Sequence, residues 1–147
     1  MRRFVSLVPL LAAAVLAACA TAKQPNVEFL ARPNSPGPFS EAVRVGNILF
    51  LSGMLGTDST GRVVPGGIGP ETKQALENVK AALERNHLTM NDVVKCTVML
   101  ADIAEWGAMN QVYATYFTGN KPARSAFGAG GLVRNGRLEL ECIAAVR

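Results

Sequence analysis

Apolar and polar positions alternate in short runs and recur at helical spacing in two longer ones. Gly37-Pro38-Phe39-Ser40 reads as a turn. Residues 41–45 alternate toward Gly46-Asn47, and the wholly apolar run Ile48-Leu49-Phe50-Leu51 follows before Ser52-Gly53. Two β-rich runs split by Gly-Asn predict a hairpin. A run apolar at every position predicts a strand covered on both faces. Residues 57–69 are rich in Gly, Pro, Ser, Thr and Asp and predict a loop. Pro70 and Glu71 open a helix whose apolar face is Ala75, Leu76, Val79, Ala82 and Leu83. Asn86 is placed to end it in a left-handed cap, with His87 as a surface residue at the boundary. Residues 93–100 predict a strand with Val94, Cys96, Val98 and Leu100 on one face. Asp102 can cap a second helix. Its Trp106, Met109, Val112, Tyr113, Tyr116 and Phe117 recur every three or four residues as a core stripe, and Gly119-Asn120 ends it. Asn135-Gly136 between strand-like runs predicts a terminal hairpin. In the last strand Leu138, Leu140, Cys142, Ala144 and Val146 share one face, and Glu139, Glu141, Ile143 and Ala145 the other.

The order β-β-α-β-α-β-β predicts an α+β two-layer sandwich: a mixed sheet with two helices on one face. The other face is then bare. Strands that are apolar on both sides need more cover, and a second copy of the chain would supply it. A homo-oligomer is expected on that ground.

Composition changes this picture at the N-terminus. Arg2 and Arg3 precede an uncharged apolar run from Phe4 to Leu16, too short to span a bilayer, which needs roughly 20 residues. That arrangement predicts an export signal. Leu16-Ala17-Ala18-Cys19 looks like a bacterial lipobox, whose cysteine is acylated and becomes the new N-terminus. The expected division is a lipoprotein-type signal at 1–18, a polar tether at 19–36 and one domain at 37–147, held at a periplasmic membrane surface through lipidated Cys19. Arg2 and Arg3 are two of 15 basic residues against 11 acidic ones, so the net charge of +4 falls to about +2 without them. No basic run with interleaved aromatics is present, which argues against nucleic-acid binding. One histidine and no Cys/His cluster argue against a zinc site. Cys96 and Cys142 could pair in an oxidising compartment, but buried free thiols are the expected state.

Candidate chemistry concentrates between Pro122 and Arg147. Arg124 has small neighbours (Ala123, Ser125, Ala126 and Gly128), and its guanidinium can make two parallel hydrogen bonds to a carboxylate. The bland alternative is a surface arginine in a salt bridge. Glu139 and Glu141 could be the solvated side of a strand. Ile143 and Ala145 continue their face as apolar, however, and a carboxylate at such an edge can act as acid or base. On a regular hairpin Glu139 pairs with Leu132, on the order of 25 Å from Arg124. Unless a bulge shortens that path, the two meet only across a subunit interface.

The segment P-A-R-S-x-F, then G-x-L, then L-E-L-E resembles the signature of the RidA/YjgF family of enamine/imine deaminases. Gly37-Pro38-Phe39-Ser40-Glu41-Ala42-Val43 is similar to that family's P-Y-S-Q-A-V turn, and Phe50-Leu51-Ser52-Gly53 to its strand ending in Ser-Gly. Residues 71–78 and 109–117 resemble its two helices. The likeness runs from about Ser35 to the end in unbroken order. It implies a chorismate-mutase-like fold, a homotrimer with helices outside, and sites at subunit interfaces. It implies hydrolysis of small carboxylate-bearing 2-imino acids to 2-oxo acids and ammonia, with no cofactor. By position, Arg124 falls at the arginine that grips the substrate carboxylate, and Glu139 at the acid that activates or orients water. Ser52 and Gly53 fall where main-chain groups line the cleft. Asn110 matches a family asparagine with a structural role beside the substrate. Phe39 stands where tyrosine is usual, and Ala126 where cysteine is frequent; both make the pocket less polar. The alternative is a non-catalytic module on the same trimer that uses Arg124 to capture small carboxylates. An endoribonuclease role, attached to some members, lacks a basic groove to support it.

Overall fold

The computed structural model of the chain describes residues 24–32 and 37–146. The expected signal, Cys19 and parts of the expected tether lie outside them. Where a tether was expected, Val27–Leu30 forms a strand, β1, which pairs antiparallel with β2, Ala42–Val45. Its V-E-F-L alternation suits a sheet edge, and the prolines around it only bound it. The Gly46-Asn47 turn joins β2 to β3, Ile48–Leu51, as the pattern predicts. A two-residue strand, β4 (Met54–Leu55), follows.

Helix α1 spans Ile68–Arg85 and buries Ala75, Leu76, Val79, Ala82 and Leu83, the expected face. It begins two residues before Pro70. The left-handed residue after it is His87 (φ 60°), whereas Asn86 keeps a negative φ and donates its side-chain amide to the Ala82 carbonyl. Strand β5 spans Val93–Leu100. An irregularity between Val93 and Lys95 buries Val93 and turns Val94 outward, so the expected alternation holds only from Cys96 onward. Asp102 accepts a hydrogen bond from the Ala104 amide and caps a short 3₁₀ turn, which runs into helix α2, Trp106–Tyr116. Of the aromatic stripe, Met109, Tyr113 and Phe117 are buried; Trp106 is exposed. Two further strands, β6 (Ala123–Gly128) and β7 (Leu138–Ala145), complete the chain.

The sheet order is β1-β2-β3-β7-β5-β6, with β4 also on β7. The expected terminal hairpin does not form. Strand β6 pairs parallel with β5, and β7 pairs antiparallel with β5 on its other side. The reason lies in the connection. Helix α2 gives the chain the length to return parallel to β5, and β5 then stands between the two segments that the Asn-Gly signal would join. Positive φ falls on Arg134 and Asn135, inside a 3₁₀ turn, and not on Gly136.

Both helices cover one face of the sheet. There Leu49, Leu51, Cys96, Val98, Leu100, Leu138, Leu140, Cys142 and Ala144 are buried against them. Each fully buried leucine contributes about 1.5–3 kcal/mol, so this face carries most of the folding energy. Cys96 and Cys142 are cross-strand partners in that layer and form a disulfide, which corrects the expectation of free thiols. Sequence spacing cannot show this; only the register that sets them opposite each other can. The other face is bare within one protomer: Phe29, Phe50 and Phe127 are exposed on it. Among the described residues no helix is long and apolar enough to cross a membrane.

Candidate active site

Arg124 and Glu139 lie on opposite faces of the sheet. Arg124 sits opposite Cys96 in the parallel ladder, on the helix side. Its guanidinium stacks over the Tyr113 ring at 4.5 Å and lies 5.7 Å from Trp106. Cation–π contact of this kind contributes about 0.5–2 kcal/mol and helps hold the guanidinium in place. Ser125, the next residue, points the other way and accepts a hydrogen bond from Lys95 Nζ (2.7 Å). Ala126 returns to the helix side and packs half-buried against the core. The expected hairpin path between Arg124 and Glu139 is therefore replaced by a separation of faces, with β5 between their strands.

Arg124 opens into a cavity of about 550 Å³ shared with Asn110, Tyr113, Phe117 and Lys121. Asn110 and Tyr113 sit three residues apart on α2 and so project from one side of the helix. Tyr113 is buried, and its hydroxyl has no hydrogen-bond partner. Burial pushes its pKa up to about 12, against the pull of the Arg124 charge. The sequence pattern assigns Tyr113 to the core alone. Its second role as a platform for Arg124 is visible only once β6 is known to lie beside β5. A cation in a cavity with an amide can hold a carboxylate.

The remaining predicted residues gather elsewhere. Leu138 and Leu140 point into the core, so Glu139 between them projects from the bare face, opposite Met99 and Leu55. Its carboxylate lies against Gly53: a side chain there would collide with it. Glycine at this position lets the acid lie on the main chain. Ser52 is fixed by its amide to the Glu41 carbonyl (2.9 Å) and by its hydroxyl to the Ser40 carbonyl (2.7 Å). Phe39, Ser52 and Gly53 line a second cavity of about 200 Å³. Phe39 is mostly exposed. Within one protomer Arg124 and Asn110 thus share one cavity, Phe39, Ser52 and Gly53 line another with Glu139 against Gly53, and Ala126 lines neither. Among the described residues no three His, Cys, Asp or Glu side chains gather where they could share a metal ion.

The chain matches the family profile described as Endoribonuclease L-PSP over residues 29–146. It is 45% identical over 113 residues to the 2-iminobutanoate/2-iminopropanoate deaminase of Mus musculus, covering 76% of this chain and 84% of that one. The crystal structure of RidA from an Antarctic Psychrobacter superposes with a TM-score of 0.75 at 32% identity, covering 81% of this chain and 99% of that one. The YjgF gene product of E. coli superposes with the same TM-score, 0.75, at 32% identity, covering 82% and 99%.

Proposed function

The chain belongs to the Endoribonuclease L-PSP (RidA/YjgF) family, and from that premise we propose that it hydrolyses small 2-imino acids, or their enamine tautomers, to 2-oxo acids and ammonia. The observation that carries the reading is Arg124, held over the Tyr113 ring and lining a cavity. A fixed guanidinium of this kind suits the carboxylate every 2-imino acid carries. The mouse relative is named for this reaction.

The chemistry asks little more than positioning. The imine carbon is already electrophilic. Arg124 binds the carboxylate and orients the C=N bond, which lowers the entropic part of the barrier. Glu139 takes a proton from water as its oxygen bonds to the carbon and the C=N electron pair moves to nitrogen. The same acid returns the proton to nitrogen. The C–N bond then breaks as the hydroxyl oxygen forms the carbonyl and its proton passes to the departing nitrogen, which leaves as ammonia.

Arg124 and Glu139 cannot share one substrate within a protomer, because the sheet separates them. The reading therefore includes a homotrimer in which Arg124 of one protomer faces Glu139 of the next. The bare apolar face supports it: Phe29, at 74% exposure, with Phe50 and Phe127 is what a second copy would cover. The reading also places the protein in an exported, lipid-anchored form. Leu16-Ala17-Ala18-Cys19 and the buried Cys96–Cys142 disulfide support this, since such bonds persist in oxidising compartments.

The test uses the full chain and an imino acid made in situ from alanine by an amino-acid oxidase. The release of 2-oxo acid is expected to exceed the spontaneous rate, and Arg124→Ala to lose at least about a hundredfold in kcat/KM. Wild-type rates no faster than those of Arg124→Ala would leave only capture of carboxylates.

A further inference from the structure

The cavity at Gly53 carries two arginines that the reaction above does not use. Arg32 and Arg134 line the same 200 Å³ cavity as Phe39, Ser52 and Gly53. Neither charge is fully neutralised. The nearest acid to Arg32 is Glu41, at 3.8 Å. Both Glu41 oxygens are already taken by Arg85, at 2.6 and 2.9 Å, and that carboxylate is buried. Glu41 is held closest by Arg85, so Arg32 shares a carboxylate that already has a cation on each oxygen. Arg134 donates Nη1 to the Gly61 carbonyl at 2.9 Å, a neutral acceptor. Among the described residues no carboxylate lies within ion-pair distance of it.

The backbone under Arg134 points the same way. Arg134 and Asn135 hold φ of 59° and 55°, two successive non-glycine residues in the left-handed region. Such conformations are disfavoured and persist where the surroundings impose them, commonly at ligand sites. Here the turn lays the arginine across Gly61 at the cavity wall.

We infer that Arg32 and Arg134 form a second anion subsite, which selects 2-imino acids whose side chain ends in a carboxylate. The inference rests on the deaminase reading. Arg124 takes the carboxylate beside the imine, and the two arginines of the adjoining protomer take the distal one. A planar guanidinium pair suits a carboxylate, and the partial exposure of both makes the preference fall with salt.

The experiment compares, on the full chain, imines generated in situ from aspartate and from alanine. Wild type is expected to favour the acidic imine about tenfold in kcat/KM. Arg134→Ala and Arg32→Ala should each shrink that ratio at least about threefold, chiefly through KM, and Arg134→Lys, which keeps the charge without the planar fork, should retain part of it. Equal handling of the two imines by wild type overturns the inference and leaves the deaminase reading standing. So does a preference that survives both alanine variants when circular dichroism shows them folded. Release of neither 2-oxo acid above the spontaneous rate overturns the deaminase reading and the inference with it.

Discussion

Gly53 and Tyr113 show how single residues set the surroundings of Glu139 and Arg124. At Gly53 the missing side chain is what lets Glu139 lie against the main chain. Gly53→Ala is expected to push the carboxylate aside and lower kcat/KM at least tenfold. Because the clash is with the end of a mobile side chain, Tm should move by no more than about 2 °C. Steady-state rates beside a melting curve check both halves of that statement. Tyr113 carries a different tension: it supports Arg124 while burying a hydroxyl without a partner. Removing such a group is expected to be neutral or to stabilise by up to about 1 kcal/mol, so Tyr113→Phe should not lower Tm. Alkali adds a second readout. Burial raises Tyr113 to about 12 in the fold, and burial with the Glu77 hydrogen bond and charge raises Tyr116 to about 12. The folded state therefore holds these protons more tightly than the unfolded chain does. Their contribution is present below about pH 10 and is lost as pH rises toward 12. Urea midpoints across that range should fall less steeply in Tyr113→Phe. The sequence marks Arg124 and Glu139 as candidates through their neighbours and the family signature. It does not mark Tyr113 as the platform, because that role depends on which strand lies next to which.

At the scale of elements, what was legible followed from local physics. The period of α1 is written in Ala75, Leu76, Val79, Ala82 and Leu83, and all five are buried. The β2–β3 hairpin follows from Gly46-Asn47. The placement of β6 was not legible, because a turn signal at Asn135-Gly136 says nothing of a competing strand elsewhere in the chain. What holds the loop between β6 and β7 is Glu71, a nearly fully buried acid that sequence reading treats only as a first-turn residue. Its Oε1 accepts the Arg137 amide at 2.6 Å, and a side chain at Gly56 would run into its main-chain carbonyl. Glu71 therefore fixes the start of β7, and with it the register of Glu139. Glu71→Ala is expected to cost about 2–4 kcal/mol, from a cavity plus an orphaned amide. Glu71→Gln keeps an acceptor and should cost less than half as much. Urea unfolding distinguishes them, and equal losses would contradict the account.

At the scale of the whole molecule, the sheet has one face under helices, where Arg124 lies, and one bare, where Glu139 lies. The Cys96–Cys142 bond crosslinks the central strands β5 and β7 within the helix-covered layer. It closes a loop of 46 residues in sequence separation, so replacing both cysteines by alanine should cost about 2–4 kcal/mol. In cells, the exported reading expects the bond to be formed and Cys19 to carry lipid. Labelled palmitate should enter wild type and not Cys19→Ala, and equal labelling would contradict the anchor. The α+β class and the helix-covered face were readable from periodicity alone. The separation of Arg124 from Glu139 was not, since it depends on β5 lying between their strands. The most direct test of the central claim, that the site is completed between protomers, mixes two inactive chains. Arg124→Ala and Glu139→Gln, each dead alone, are unfolded together and refolded at equal ratio so that their oligomers mix. If Arg124 of one protomer serves Glu139 of the next, one interface in four regains both residues, and about a quarter of the wild-type rate should return. A mixture of mixed oligomers as inactive as its components would contradict the account.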